Sequence, residues 1–449
     1  MLLRRVALIL CCMLWWPGAG PVLAEAARGG GPAPRPGVHA PRPMAQAQRP
    51  AGKPQAARSR PAASRALVRA VRPTARPPAP AGAAARAAPI AVPAGAAVAR
   101  QGVPPLGGPF LPAPAPSGEP GRCEAPPSPV RNLESTGFYM DPAFSRPDLT
   151  RMRADGEAAR PLRDWLALVQ RAVARHRAGE AGAAACALEA LDQWAKNDAL
   201  LGAFNLQGGY HRKMVLSGAA LSFLAIRDAP GLDAVRLGRT ARWLGAVAEA
   251  VRPHYDRKSV AIISDIRNHE AAWAGLAVAA AGIANRDRAQ LDWGIARLRA
   301  QLAQVDERGV LPQEAKRGAM ALRYHLLAFD AVAALERLAS ANGIALTDGE
   351  RAAYGRLRDL CLAAARDPLR MEAIAEAAQS DIWVGEGGPL AEADGLEIAA
   401  AAAPDALLEE ALAPSRPFSS PWLGGVVTGW WKGGAAGAPP LTPTARDGP

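Results

Sequence analysis

Arg160-Pro-Leu-Arg-Asp-Trp-Leu-Ala-Leu-Val-Gln-Arg-Ala-Val173 places its large apolar residues, Leu162, Trp165, Leu166, Val169 and Val173, at intervals of three and four. That is the period of a helix with one face in a core. The pattern recurs through roughly 181–199, 208–227, 234–252, 265–284, 288–304, 314–340 and 348–366, separated by breaks such as Asp228-Ala-Pro-Gly231 and Asp306-Glu-Arg-Gly309. No alternating run of β-branched residues competes with it, so the expected class is all-α. Short links make consecutive helices antiparallel neighbours, in a bundle, a solenoid or an α/α toroid. The absence of a strict repeat period disfavours the solenoid. Residues 122–385 suffice for one domain with a sizeable core. From 386 to 449 the chain is Ala-, Gly- and Pro-rich, yet it holds Pro417-Phe-Ser-Ser-Pro-Trp-Leu-Gly-Gly425 and Trp430-Trp431. The aromatics of 417–431 are expected to pack back onto the domain, and the end to be disordered.

Upstream, Met1-Leu-Leu-Arg-Arg5 is a basic head, Val6 to Trp16 an apolar stretch too short to span a bilayer comfortably, and Val22-Leu-Ala24 a small-residue cleavage site. Residues 1–24 therefore read as a removable secretory signal, and the mature chain as periplasmic or secreted. Leu10 before Cys11 and Cys12 weighs against a lipoprotein. Later Ala-rich runs are interrupted by charges, so no stable membrane insertion is expected. Residues 25–121 are Pro, Ala, Gly and Arg with almost no large apolar side chains, and are expected to be a long disordered tail. Thirteen Lys or Arg against two acids there account for +11 of the chain's +12. Because the charge is confined to an exported tail, a nucleic-acid partner is not expected. Loose attraction to a polyanion or a membrane surface is the sharper reading of the tail, and a plain spacer the blander one.

Two constellations offer chemistry: Arg267-Asn268-His269 at a helix start, and Leu311-Pro-Gln-Glu-Ala-Lys-Arg-Gly-Ala-Met-Ala-Leu-Arg-Tyr-His325. Arg317 and Tyr324 are seven apart, two helical turns, so both can leave one face. Breaking an acidic sugar polymer by elimination requires that the carboxylate beside C5 be neutralised, that a base take the C5 proton, and that an acid protonate the departing O4. Asn268 and Arg317 suit the first role, Tyr324 and His269 the other two. Where the C5 hydrogen and O4 lie on one face of the ring, one tyrosine can serve as both base and acid. Taken alone, Asn-His at a helix start equally serves as a cap with a satisfied histidine, and Arg with Tyr as a solvated rim. His176, His211, His254 and His325 lack metal-ligand spacing, and neither metal nor cofactor is expected. After signal removal Cys123, Cys186 and Cys361 remain, an odd number that leaves at least one unpaired.

At these residues the chain resembles the alginate (poly-mannuronate) lyase family of α/α-toroid polysaccharide lyases. The resemblance runs through Cys186-Ala-Leu-Glu-Ala-Leu-Asp-Gln-Trp-Ala-Lys-Asn-Asp-Ala-Leu-Leu201, Phe204-Asn205, Arg212-Lys213, Asn268-His269, Val305 to Arg317, Ala321-Leu-Arg-Tyr-His325, Ala341 to Leu346, and Pro417-Phe418 with Leu423-Gly-Gly425. It implies an incomplete α/α toroid of antiparallel helices and a periplasmic lyase acting on alginate or another polyuronate. It further implies that Asn268, His269, Arg317 and Tyr324 are the catalytic set, and that Cys123 and Cys186 are bonded. Export machinery for the polysaccharide is a further expected partner.

Two departures alter the expected cleft. Where the family continues Ser-Tyr-Trp-Ala-Ala-Trp after the histidine, this chain has Glu270-Ala-Ala-Trp-Ala-Gly275, and the family's Ser-Lys-Tyr lid motif corresponds to Ser135-Thr-Gly-Phe-Tyr139. Trp273 is a candidate to replace a lost aromatic and Tyr139 a candidate lid aromatic, both as substrate-binding residues or as packing. Arg212 and Lys213 are candidates to meet a sugar carboxylate, and Asp265 to orient the His269 imidazole. Two other classes compete: a non-catalytic polysaccharide-binding or export-assembly subunit on the same toroid, and a glycoside hydrolase using Glu270 and Glu314.

Overall fold

The computed structural model describes residues 105–259 and 264–432; the signal, the tail up to residue 104 and the last residues, 433–449, lie outside these. Twelve helical segments are labelled here in chain order among the described residues. They are α1 Leu149–Arg177, α2 Ala183–Lys196, α3 Leu206–Ile226, α4 Ala234–Tyr255, α5 His269–Asn285, α6 Arg288–Leu302, the short α7 Pro312–Ala315, α8 Ala321–Ala341, α9 Asp348–Arg366, α10 Leu369–Ala375, α11 Asp394–Ala402 and α12 Ala406–Leu412. In the order α1, α3, α5, α8 and α11, each packs against the next, while α2, α4, α6 and α9 pack on their outer side. This is an incomplete α/α toroid.

Composition sorts inner from outer helices. His269-Glu-Ala-Ala-Trp-Ala-Gly-Leu-Ala-Val-Ala-Ala-Ala-Gly-Ile-Ala-Asn285 has no polar face after its first turn, and every residue from Ala271 to Ala284 is buried. Its small side chains let neighbours approach closely. A Cβ on Gly294 of α6 would lie 2.4 Å from the Gly275 carbonyl oxygen, so the two backbones touch. The apolar stretch Gly318–Ala341 is long enough to cross a membrane, but its most apolar window is 78% buried inside the protein, as the inner helix α8. The helix predicted from about 160 in fact begins at Leu149. Its start is set by Asp148, whose carboxylate accepts the backbone N–H groups of Thr150 (2.9 Å) and Arg151 (3.1 Å), and not by an apolar stripe.

Tryptophans join the outer layer to the inner. Trp165 and Trp194 stack at 3.9 Å, Trp243 meets Trp165 edge-on at 6.2 Å, and each indole N–H donates to a backbone carbonyl, of Ala190, Pro127 and Ala199 respectively. At the C-terminal end, Gln170 donates to the Pro421 carbonyl (2.6 Å) and Ser217 to that of Trp422 (2.9 Å), while Phe418 and Trp431 are buried.

The packed chain begins earlier than the boundary at 122 drawn from composition. Leu106 and Phe110 are buried, the Leu111 N–H donates to the Trp430 carbonyl (2.8 Å), and Phe110 meets the Trp431 ring at 5.1 Å. Two isolated apolar residues among prolines carry no period, so only their C-terminal partners reveal them. A disulfide joins Cys123 to Cys186 of α2 across a sequence separation of 63, and Cys361 is a buried free thiol in α9.

Replacing Cys123 and Cys186 together by Ser should lower unfolding stability by up to about 4 kcal/mol, from the loop the bridge closes. Chemical denaturation measures the loss. Mass mapping without reduction should find only the Cys123–Cys186 pair, and a bridge through Cys361 would overturn the assignment.

Candidate active site

Three inner helices present their N-terminal ends to one place: the second turn of α3 carries Lys213, α5 opens with His269, and Tyr324 lies in the first turn of α8. Exposed N–H groups and aligned peptide dipoles favour negative charge there. The α5 start is built by Asn268, whose side-chain oxygen accepts the Glu270 N–H at 2.9 Å. The cap occupies the oxygen of that amide and leaves its NH2 group as the donor for a ligand. Pro312-Gln-Glu-Ala315 is a single turn with Pro at its start, and it delivers Glu314 into the interior.

His269 is held on every side. Its backbone N–H donates to Glu314 Oε1 at 2.6 Å, the same oxygen lies 3.2 Å from its Nδ1, and Glu270 Oε1 lies 3.4 Å from its Nε2. Glu270 in turn pairs with the buried Lys213 ammonium. The Tyr324 ring lies 4.6 Å from the imidazole, and the Arg317 guanidinium covers that tyrosine at 3.7 Å. Arg317 also faces Phe144 at 5.1 Å and is buried, with its Nε lacking a protein acceptor.

The loop 138–148 closes over this cluster. The Met140 N–H donates to the Arg146 carbonyl (2.9 Å) and that of Asp148 to Phe138 (2.7 Å), while the Asp141 carboxylate collects the N–H groups of Ser145 and Arg146. The turn so formed sets the Tyr139 hydroxyl against that of Tyr324. Burial first, and then the neighbouring Tyr324, pushes the Tyr139 phenol well above its ordinary range, so Tyr139 stays protonated.

Asn268, His269, Arg317, Tyr324, Tyr139 and Lys213 thus come together, and three other expectations are corrected. Trp273 is 1% exposed and donates its indole N–H to the Leu327 carbonyl at 2.9 Å, so it is a core residue and does not bind substrate. Arg212 turns away onto the Phe204 ring (3.8 Å) and the Gly202 carbonyl (2.9 Å). Successive helical residues point about 100° apart, which is why Lys213 enters the site and its neighbour does not. Asp265 receives His254 Nε2 (2.5 Å) and the Tyr210 hydroxyl (3.1 Å), so it does not orient His269; Glu314 does.

The hydrolase reading needs one carboxyl group kept protonated as an acid. Burial pushes Glu270 and Glu314 up, but Lys213 and His269 at the first and His269 at the second hold both below the ordinary carboxylate range. Neither is disposed to give up a proton. His325, next to Tyr324, is a fold element: its Nδ1 donates to the Ala321 carbonyl (2.8 Å) and its Nε2 accepts the Leu311 N–H (3.0 Å). Among the described residues no group of three or more His, Cys, Asp or Glu is placed to hold a metal ion.

Asn268, His269, Arg317 and Tyr324 thus gather at the N-terminal ends of the inner helices of an α/α toroid. The family model described as alginate lyase matches residues 140–371, and this chain belongs to the alginate lyase family. A polysaccharide lyase of Stenotrophomonas maltophilia is 30% identical over 311 residues, covering 68% of this chain and 89% of that protein. An alginate lyase of Azotobacter vinelandii is 31% identical over 259 residues, covering 55% and 68%. Among solved structures, alginate lyase A1-III from Sphingomonas species A1 matches with a TM-score of 0.56 at 21% identity, over 68% of this chain and 84% of that one. A variant of A1-III complexed with tetrasaccharide matches with a TM-score of 0.59. At that identity the likeness establishes the fold.

If Trp273 is a core residue, Trp273→Ala should cost about 3–5 kcal/mol of stability and leave the KM of the folded fraction unchanged. Thermal unfolding and steady-state kinetics on one preparation separate the effects. A raised KM without destabilisation would return Trp273 to the cleft.

Proposed function

We propose that this polysaccharide lyase cleaves a polyuronate of the alginate or polymannuronate kind by β-elimination, in the periplasm or outside the cell. One observation carries the reading: the Tyr324 hydroxyl, the Arg317 guanidinium and the free NH2 of Asn268 belong to one buried cluster at converging helix N-termini. Arg317 and Asn268 meet the carboxylate beside C5 and stabilise the negative charge that develops as the C5 proton leaves. Tyr324 takes that proton and returns one to O4, which suits a uronate whose C5 hydrogen and O4 share a face. Tyr139 donates to or accepts from the same hydroxyl before substrate arrives, so a substrate must displace that contact. No cofactor enters this scheme.

The reading as a non-catalytic binding or assembly subunit rested partly on the lost aromatics at Ala271 and Ala272. Both positions are buried in α5, Ala272 completely, so their change bears first on packing. Partnership with export machinery is proposed only together with the secretory signal, which lies outside the described residues.

Ultraviolet absorbance of the mature protein mixed with a panel of polyuronates should rise as unsaturated uronate forms, and the absence of any rise would favour the binding subunit. Tyr324→Phe should remove at least about 10²–10⁴-fold of turnover while polymer binding stays near wild type. Arg317→Ala should weaken binding as well as rate, because its charge meets the carboxylate already in the ground state. If Tyr324→Phe keeps more than about a tenth of the activity, Tyr324 is not the proton-transfer group.

A further inference from the structure

Glu270 stands where the family this chain resembles carries Ser, and it is not merely an acid in the first turn of a helix. Its two oxygens divide between Lys213 Nζ and His269 Nε2, the latter at 3.4 Å. On the opposite edge of the ring, Glu314 Oε1 lies 3.2 Å from Nδ1. A neutral imidazole has one N–H and one lone pair, so either tautomer would set a lone pair against a carboxylate oxygen. Only the ring protonated at both nitrogens satisfies both neighbours. His269 and Lys213 are 2% and 1% exposed and Glu314 is fully buried, while Glu270, 20% exposed, is the member of the group nearest solvent.

The other charged groups around the ring lead to the same place. Glu314 comes from α7, Glu270 from α5 itself and Lys213 from α3 through Glu270; Arg317 precedes α8 and covers the Tyr324 ring, and Arg323 lies half-buried at the rim, 5.8 Å from that ring. In the cluster in contact with His269 and Tyr324, Lys213 and Arg317 cancel Glu270 and Glu314. A protonated His269 leaves one net positive charge, the complement of one sugar carboxylate.

We propose that Glu270, anchored by Lys213, is a positioning residue that keeps His269 as a cation flanked by a carboxylate at each ring nitrogen, supplying the net charge that receives the substrate carboxylate and leaving proton transfer to Tyr324. The proposal deepens the lyase reading and rests on it for the substrate, but not for the state of His269. Burial alone would lower the proton affinity of His269; Glu314 and Glu270 overcome that and hold it above the ordinary histidine range. The cation is lost only as pH rises through that raised value. Removing the charge of Glu270 moves that loss toward lower pH.

The test compares the full mature chain with Glu270→Gln and with the double variant Lys213→Met/Glu270→Gln. The double variant avoids a buried lone ammonium should the single one fold poorly. Nitrogen NMR of the imidazoles, with His269 assigned by its own substitution, should show both ring nitrogens protonated at neutral pH in the wild type. In either variant the titration should move acidward by about one pH unit or more, at least tenfold in proton affinity. The alkaline limb of kcat/KM for a polyuronate should move with it. A wild-type His269 with one protonated nitrogen at neutral pH overturns the proposal, as does an unmoved titration in both variants. If no polyuronate is cleaved, the lyase reading fails while the NMR result still decides the state of His269.

Discussion

The architecture depends on one helix that is buried on all sides. From Ala271 to Ala284, α5 offers its neighbours mainly methyl groups and bare backbone, and α3, α4, α6 and α8 all close on it. Gly275 against Gly294 marks the tightest approach, where any Cβ would force the helices apart. Large side chains at this axis would have widened the ring. With small ones the inner helices draw in, and their N-terminal ends fall within side-chain reach of one another.

That convergence creates an electrostatic problem, solved by the residues just inside the helix starts. Several positive helix ends in a dry place call for negative charge, and Glu314 and Glu270 provide it in contact with His269. Lys213 and Arg317 restore the balance. Buried charges are tolerated because each faces an opposite one or a ring, and Arg317, stacked on Tyr324 with an unmatched Nε, is the group most ready to accept an anion. Packing and catalysis thus share residues here: the side chains that make a closed ring electrically neutral are the ones a sugar acid would meet.

Around this centre the chain uses cheap devices to hold distant segments in place. The proline-rich entry is pinned at Phe110 by Trp431 and at Cys123 by Cys186. The 138–148 loop is folded by a single aspartate, Asp141, whose carboxylate replaces a backbone turn and thereby aims Tyr139 at Tyr324.

Periodicity in the sequence determined the all-helical class and most helix positions, because apolar spacing of three and four is a local property that survives without neighbours. The pairing of Asn268 with His269, and of Arg317 with Tyr324, was legible as short motifs with a chemical use. Tertiary structure alone decided which polar residues share the site. Arg212 and Lys213 are adjacent in sequence yet point to different places, and Trp273 turned out to be core because α8 lies over it. The partnership of Glu314 and Glu270 with one imidazole joins residues 44 apart in sequence, and no local pattern encodes such a contact. The start of the packed chain at Leu106 was hidden for the same reason: Arg227, which meets Leu106, lies 121 residues downstream, and Asn342 and Trp431, which meet Gly107 and Phe110, lie more than two hundred.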